Sequence, residues 1–398
     1  MNRSWRTMCG GAAAVVLGLL AACATDGARE ADLEDDPATP VPSPDADAGV
    51  DAESNEDAGA CTDDCEYFLD DCTEDALCAN GLFAPVATTD SLEIRAHVQA
   101  ISARSATDAW LVGTAGAAAH FDGSTWRRSV TETQYSLNAI WLLSDGEVAV
   151  QTPSALFTRG LDVDAGAPSA GGWSLTGAAS SEWNDVWPVQ VHSSWAHPAS
   201  DSLWVGTRHD RGGLWRLRRR PDGEFSFVSA SLNKCQFVPC LEVSGMDGRS
   251  PNELWAVGPQ GAAFRVTDAE SDSPVLTGFL TDTSLALLDV WVAGESDVWA
   301  VGATGTVRRW RGDPRTFEIY DEVPTKKHLR AIAGSSLNDI WIAGDDAAVY
   351  HYDGAAWTRV KVAGLGARRP SLQHIWIPSP GKVWIAGEGA LLSLGGKS

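Results

Sequence analysis

The chain of 398 residues has no apolar run long enough to cross a bilayer as a permanent helix; its longest, Gly10 to Ala22, falls short of a span. Helical spacing of apolar residues is also missing from the body, where β-branched and aromatic residues recur every two positions, so helices of useful length are excluded. Positive charge is scarce: 30 Lys and Arg stand against 53 Asp and Glu, a formal net charge of −23, which argues against nucleic acid as a partner. No two of the eight cysteines have the two-residue spacing of a zinc knuckle, and no histidine lies near them. No Ser-His-Asp set, paired carboxylates or metal triad is nominated by position, so no catalytic residue, metal ligand or cofactor is assigned.

What is present is a repeat. The stretch Leu329 to Val360 reads as four short alternating runs, 329–334, 339–344, 348–353 and 356–362, separated by turn formers that include Asp353-Gly354. This predicts a four-stranded antiparallel meander. Copies recur at roughly 40 to 55 residues, a period that indicates a propeller or another radial array. Each carries an acidic or polar residue two before a tryptophan and a glycine three after it: Asp108, Trp110, Gly113; Glu253, Trp255, Gly258; Asp297, Trp299, Gly302; Asp339, Trp341, Gly344; Lys382, Trp384, Gly387. A sixth copy, Asp201 to Gly206, is one residue short between Trp204 and Gly206, which predicts a bulge or a register change. A seventh is reduced to Glu147 to Val150. The expected fold is all-β, a seven-bladed β-propeller over 81–398. The signature acid is expected to cap amides in the first turn and the glycine to supply positive φ in the next.

Eighteen tryptophans fit a ring whose blades splay outward and need bulky wedges between them. The last copy stops after three strands. Gly81 to Ala87, with Phe83 at the place of the fourth-strand aromatic, is therefore expected to complete the last blade and remove the open edges.

Ahead of the ring, Arg3 and Arg6 precede the short apolar run, which closes in Leu20-Ala21-Ala22-Cys23. That is the order of a secretory signal. Residues 23–60 are dominated by Asp, Glu, Ala and Pro; from Ala24 to Asn80 there are 19 acidic residues and one basic, Arg29, so this part holds about −18 of the net charge. Such a segment is expected to be a solvated, disordered acidic tether. Once Cys9 and Cys23 are set aside, six cysteines remain: Cys61, Cys65, Cys72 and Cys78 in a compact segment, 61–80, and Cys235 with Cys240. An even remainder in an exported chain predicts three disulfides; pairing among the first four stays open.

Two resemblances add to this reading. Leu20-Ala21-Ala22-Cys23 resembles the bacterial lipobox, which implies a signal peptide over 1–22, lipidation of Cys23 and stable membrane anchoring through several acyl chains. Ala24 after the cysteine implies the outer membrane, facing the periplasm or the surface. The repeat resembles those of bacterial secreted propellers in the broad YVTN and Asp-box (BNR) group, which includes sialidase-type and photosystem-assembly-factor-type rings; WD40 rings share the architecture. Phe121-Asp122-Gly123-Ser124-Thr125-Trp126 and Tyr352-Asp353-Gly354-Ala355-Ala356-Trp357 are similar to the Asp-box hairpin, one residue tighter. The arginines and the five tyrosines do not fall in the sialidase motif, so the resemblance implies turns and no reaction.

Other short matches have simpler explanations. Arg311-Gly312-Asp313 takes the place of a turn, Gly395 to Ser398 lacks the rest of a phosphate loop, and Asp45 to Asp51 lacks a third calcium ligand. His192 and His197 lack a third metal ligand. Unit lengths are uneven, with the excess in Gly160 to Gly172, Pro188 to Ser200, Arg218 to Gly223 and Thr267 to Ser273, which should crowd one face of the ring. Trp195, His197, Arg218, Arg219 and Arg220 are the contact-capable residues there. The expectation is a monomeric, non-catalytic binding or scaffold protein that contacts a protein or polysaccharide. An exported glycan-active hydrolase or lyase is the alternative, and an acidic pair with shifted pKa in the central channel would favour it.

Overall fold

The computed structural model describes residues 64–152, 154–163, 165–179, 190–208, 212–231, 234–235 and 238–396. The expected signal peptide over 1–22, the expected acidic tether over 23–60 with Cys23, and Cys61 lie outside the described residues. The protein is an all-β propeller of antiparallel blades. Six meanders of four consecutive strands span 98–128, 139–176, 191–229, 245–278, 287–320 and 329–359. After them comes a composite sheet: Leu372–Ser379, Lys382–Gly387 and Ala390–Leu394, joined by Leu77–Ala79 and then by two short strands, Val362–Ala363 and Phe68–Leu69. The uniform blades expected from the repeat are thus six contiguous meanders and one sheet assembled from both ends of the body.

Packing carries the order around the axis. Trp299 packs with Ile340 and Ile342 of the sixth meander, Trp341 with Val383 and Ile385 of the composite sheet, and Trp384 with Ala109 and Leu111 of the first meander. Each signature tryptophan therefore fills the gap to the next sheet, and the last one closes the circle. At most 4% of Trp110, Trp204, Trp255, Trp299, Trp341 or Trp384 is exposed, so each is a wedge with an upper-bound burial contribution of about 4–6 kcal/mol.

The closing strand lies earlier than the sequence predicts. Leu77, Cys78 and Ala79 pair antiparallel with Leu394, Ser393 and Leu392, whereas Phe83–Ala84 pairs with Leu92–Glu93. Leu77 and Ala76 are fully buried, and the Cys72–Cys78 disulfide holds the turn that delivers them. Phe83 follows a turn at Gly81 (φ 79°) and packs beside Leu82 and Leu92 outside the sheet. The ring is thus completed from within residues 61–80. Cys235 and Cys240 form the second described pair, and Cys65 is also disulfide-bonded.

The signature residues have different work from that expected. Gly113, Gly258, Gly302 and Gly344 have φ between −169° and −163°, an extended backbone open to any residue. They are glycine for lack of room: a Cβ would lie 2.1 Å from the His97 carbonyl oxygen at Gly113, 2.3 Å from that of Glu242 at Gly258 and 2.0 Å from that of His328 at Gly344. Positive φ comes in the two-residue turns that follow, Ala115-Gly116, Gln260-Gly261, Thr304-Gly305 and Asp346-Ala347, as type I′ hairpins require. In the third meander Thr207, not Gly206, pairs with the strand's first residue, Val191, so Thr207 takes the glycine's place and the signature keeps its spacing.

The signature acid binds an arginine or a histidine ring nitrogen on the neighbouring strand, twelve residues on, rather than capping a turn. Asp108 meets His120 at 2.9 Å, Glu147 meets Arg159 at 3.0 Å, Asp297 meets Arg309 at 2.6 Å and Asp339 meets His351 at 2.8 Å; Glu253 pairs with Arg265 in the same way. The cation or imidazole lies over the signature tryptophan, with Arg309 4.4 Å from the Trp299 ring centre and His351 4.2 Å from that of Trp341. Acid, basic side chain and indole thus form a clasp in the first, fourth, fifth and sixth meanders. Turn capping falls to the Asp-box-like aspartates. Asp122 accepts the amides of Ser124 and Thr125, both at 2.9 Å, Asp353 those of Ala355 and Ala356, and Asp313 those of Arg315 and Thr316.

Candidate functional site

The first strands of the sheets surround the axis, with one backbone edge turned inward. Their beginnings line a cavity of about 470 Å³. In sequence the key positions lie nine and eight residues before the signature residue. The first of these gives Gln99, Ser244, Leu288, Arg330 and Gln373; the second gives Ala100, Gly245, Asp289, Ala331 and His374. His192 and Ser193 are their equivalents in the third meander. Side chains at the second position are small except at Asp289 and His374. Gly245 leaves space for one of them: a Cβ there would stand 2.6 Å from the Asp289 Cα and 3.0 Å from its Oδ1.

Asp289 Oδ2 accepts the Ile332 amide of the sixth meander at 2.9 Å. One sheet earlier and deeper, Asp247 Oδ2 accepts the Val292 amide at 2.7 Å. Both carboxyls thus satisfy inner-edge donors that no strand pairs. Asp289 keeps partial contact with the channel, yet it is crowded enough that burial pushes its carboxyl up to about 8, against the amides of Ile332 and Val290 and with the charge of Asp247 adding to the rise. Burial likewise pushes Asp247 up to about 6, against the Val292 and Gly248 amides and the Trp195 indole. His374 moves the other way: burial pushes its imidazole down to about 4, opposed by a hydrogen bond to the Val98 backbone.

The rest of the wall is polar. Arg330 is tied to Asp345 through both carboxylate oxygens, and Asp345 also accepts Ser371 Oγ at 2.7 Å. Glu242 stands at the rim, 3.5 Å from Arg208. Among the described residues, the side chains of Gln99, Ser194, Ser244 and Gln373 make no hydrogen bond within the chain, so they are available to a ligand. Sequence reasoning missed this ring. The signal was there as a count back from each signature residue, but only the sheet register reveals that the count lands on the axis.

The residues nominated from sequence lie elsewhere. Long turns of the third and fourth meanders do meet on one face: Ser200 Oγ donates to Glu270 at 2.6 Å, and Arg218 Nη1 lies 2.8 Å from Asp272. Strand starts line the cavity, so it opens on the opposite face. Trp195 is not in a loop; it ends the strand Val191–Trp195 and lies over Gly248, where a Cβ would meet the ring at 2.8 Å. His197 Nδ1 accepts the Ala199 amide within its turn. The basic run is internally matched. Alternation along Leu214–Arg219 sends Arg216 and Arg218 to the fourth meander, at Ala269, Glu270 and Asp272, and Arg219 to Asp145 of the second at 2.7 Å. Arg220 closes its own turn on Asp222 and Glu224.

No family model matches the sequence, and no curated protein matches it. Solved structures match in fold. The chain is similar to YCF48 bound to D1 peptide at 17% identity and a TM-score of 0.54, over 75% of this chain and 92% of that one. It is similar to the extracellular domain of a putative hybrid two-component system from B. thetaiotaomicron at 14% identity and a TM-score of 0.53, over 75% of this chain and 39% of that one. A catalytically inactive virginiamycin B lyase from Staphylococcus aureus with quinupristin matches at 12% identity and a TM-score of 0.53, over 76% of this chain and 96% of that one. At these identities the likeness establishes a propeller fold and goes no further.

Proposed function

We propose that this is a lipid-anchored, exported, non-catalytic binding protein, held to the outer membrane through Cys23 on its acidic tether, whose propeller presents the axial cavity to a protein or polysaccharide partner. In this reading the composite sheet counts as the seventh blade, the propeller is of the secreted YVTN and Asp-box kind, and the protein acts as a monomer. The observation that carries the binding role is the cavity wall, where the polar side chains of Gln99, Ser194, Ser244 and Gln373, from four sheets, face an open-mouthed space without hydrogen-bond partners of their own among the described residues. A rigid ring supplies such a site at low ordering cost, because the wall is already in place before the partner arrives. The long-turn face, with His197 and the paired arginines Arg218, Arg219 and Arg220, supplies a second, flatter contact surface. One solved relative in fold is described as bound to a peptide and another is an extracellular domain of a putative hybrid two-component system, both in keeping with this role.

The glycan-active hydrolase or lyase remains the second reading, favoured by one observation: Asp247 and Asp289 are neighbouring carboxyls with raised pKa. Each is already occupied by an inter-sheet amide, which weights them toward a structural role. Glycan-array binding and hydrolysis assays on the full chain separate the two. Binding without turnover, unchanged in Asp247→Asn, supports the first reading, and turnover abolished by Asp289→Asn establishes the second.

A further inference from the structure

We propose that the axial cavity is a receptor for a primary ammonium group, with Asp289 as its counter-ion and Gln99, Gln373 and Ser244 as neutral acceptors. This rests on the binding reading above and names the chemistry of the ligand. Charge is the first argument. Of the ionisable groups on the cavity wall, Arg330 is neutralised by Asp345, and burial keeps the His374 imidazole neutral. Burial also holds the His192 imidazole toward its neutral form, and Glu242 is paired with Arg208 at the rim. Among the described residues, that leaves Asp289 as the wall's ionisable group without an oppositely charged partner, so once ionised it is the unbalanced charge on the axis.

Acceptor balance is the second argument. Asp247 and Asp289 occupy the inner-edge amides of Val292 and Ile332, which removes those donors from the axis, and the oxygens of the free carboxamides and hydroxyls, groups that both donate and accept, can complete the shell of a cation. Among the described residues no three His, Cys, Asp or Glu side chains converge tightly enough to hold a metal ion, so an organic cation fits better than a bare divalent one. A space of about 470 Å³ admits a lysine side chain or a small diamine whole.

The ammonium arrives already protonated, so Asp289 must give up its proton to solvent to become the counter-ion. The groups facing it are His192 from the third meander, Asp247 from the fourth, Arg330 from the sixth, His374 from the composite sheet and Glu242 at the rim. Binding then strengthens with pH up to about 8, by as much as about tenfold per unit for one released proton.

The test is calorimetric titration of the full chain in detergent with Nα-acetyl-lysine amide and with 1,5-diaminopentane, using Nα-acetyl-norleucine amide as the uncharged control. The proposal expects saturable binding of an amine, absent with norleucine, that tightens between pH 6 and pH 8. Asp289→Asn should weaken it at least tenfold and flatten its pH dependence; Glu242→Gln should weaken it less and leave the pH dependence in place. Stronger lysine-amide binding assigns the group to a protein partner, and stronger diamine binding to a free amine. Equal binding of norleucine amide, no saturation by either amine while the melting temperature is normal, or undiminished binding by Asp289→Asn overturns the ammonium receptor. An envelope partner captured equally by Asp289→Asn leaves the binding reading standing while this inference falls.

Discussion

Asp289 of the fifth meander holds the backbone amide of Ile332 in the sixth at 2.9 Å, so a carboxyl on the axis fastens one sheet to the next. The same residue faces the cavity, and its neighbours in the ring are small. Its raised pKa is thus tied both to the integrity of the ring and to whatever enters the channel.

The pH dependence follows from the direction of each shift. Asp289 titrates at about 8 in the folded protein, above its ordinary 3.8, so its favourable contribution is complete below about 4 and is lost as pH rises through 8. His374 titrates at about 4, below its ordinary 6.5, so its contribution is complete above about 6.5 and is lost as pH falls through 4. Thermal melts should show Asp289→Asn gaining on the parent as pH rises from about 4.5 to 8. A difference that stays constant with pH would show that the carboxyl is not shifted.

Gly344→Ala should destabilise the sixth meander by about 1–3 kcal/mol, because its Cβ would overlap the His328 carbonyl at 2.0 Å. Ala347→Gly, three residues on, should change stability by less than about 1 kcal/mol, since relief of an alanine held at φ 51° is offset by the greater freedom of glycine in the unfolded chain. Denaturant melts of both variants check the contrast, which collapses if Gly344→Ala is neutral.

The arginines of the third meander should separate by burial. Arg219→Ala removes an exposed pair with Asp145 and should cost about 0–1 kcal/mol. Arg216 is 4% exposed, lies over Trp204 and donates to the Ala269 carbonyl, so Arg216→Ala should cost about 2–4 kcal/mol. Equal effects in urea titrations would contradict the account of these residues as inter-sheet clamps of unequal depth.

Ring closure rests on a short strand. Leu77→Asp buries a charge where the side chain has no exposure, against Leu392 and Leu394, and should give an unfolded or aggregated body in size-exclusion chromatography. A monodisperse, cooperatively melting Leu77→Asp protein would mean that the sheet does not need its N-terminal strand.

Much of this architecture was readable from the repeat. The unbroken apolar runs around Trp299 and Trp341, 298–301 and 340–343, indicate two-sided burial, and the last copy of the repeat holds three strands, which raises the expectation of a borrowed fourth. Which strand is borrowed was not readable, because Leu77 sits in an acidic, cysteine-rich context while Phe83 has the aromatic expected there. The signature acid and glycine were found but misassigned: a carboxylate that clasps a basic side chain twelve residues away, and a glycine whose limit is a carbonyl in another strand, are both consequences of pairing. Trp195 and the arginines drew notice because exposed-looking aromatics and charges suggest contacts, and the register turned them inward or onto neighbours. Asp289 and His374 were overlooked because each stands in an apolar run, and only alignment of the first strands shows them against small residues.

The most direct measurement of the proposed binding role is capture from native envelope with the full chain, run beside a channel-blocked variant, Ser244→Trp, of matched melting behaviour. The account predicts a partner retained by the parent and lost, or reduced at least tenfold, by the blocked chain. The same partner recovered equally by both would contradict an axial site.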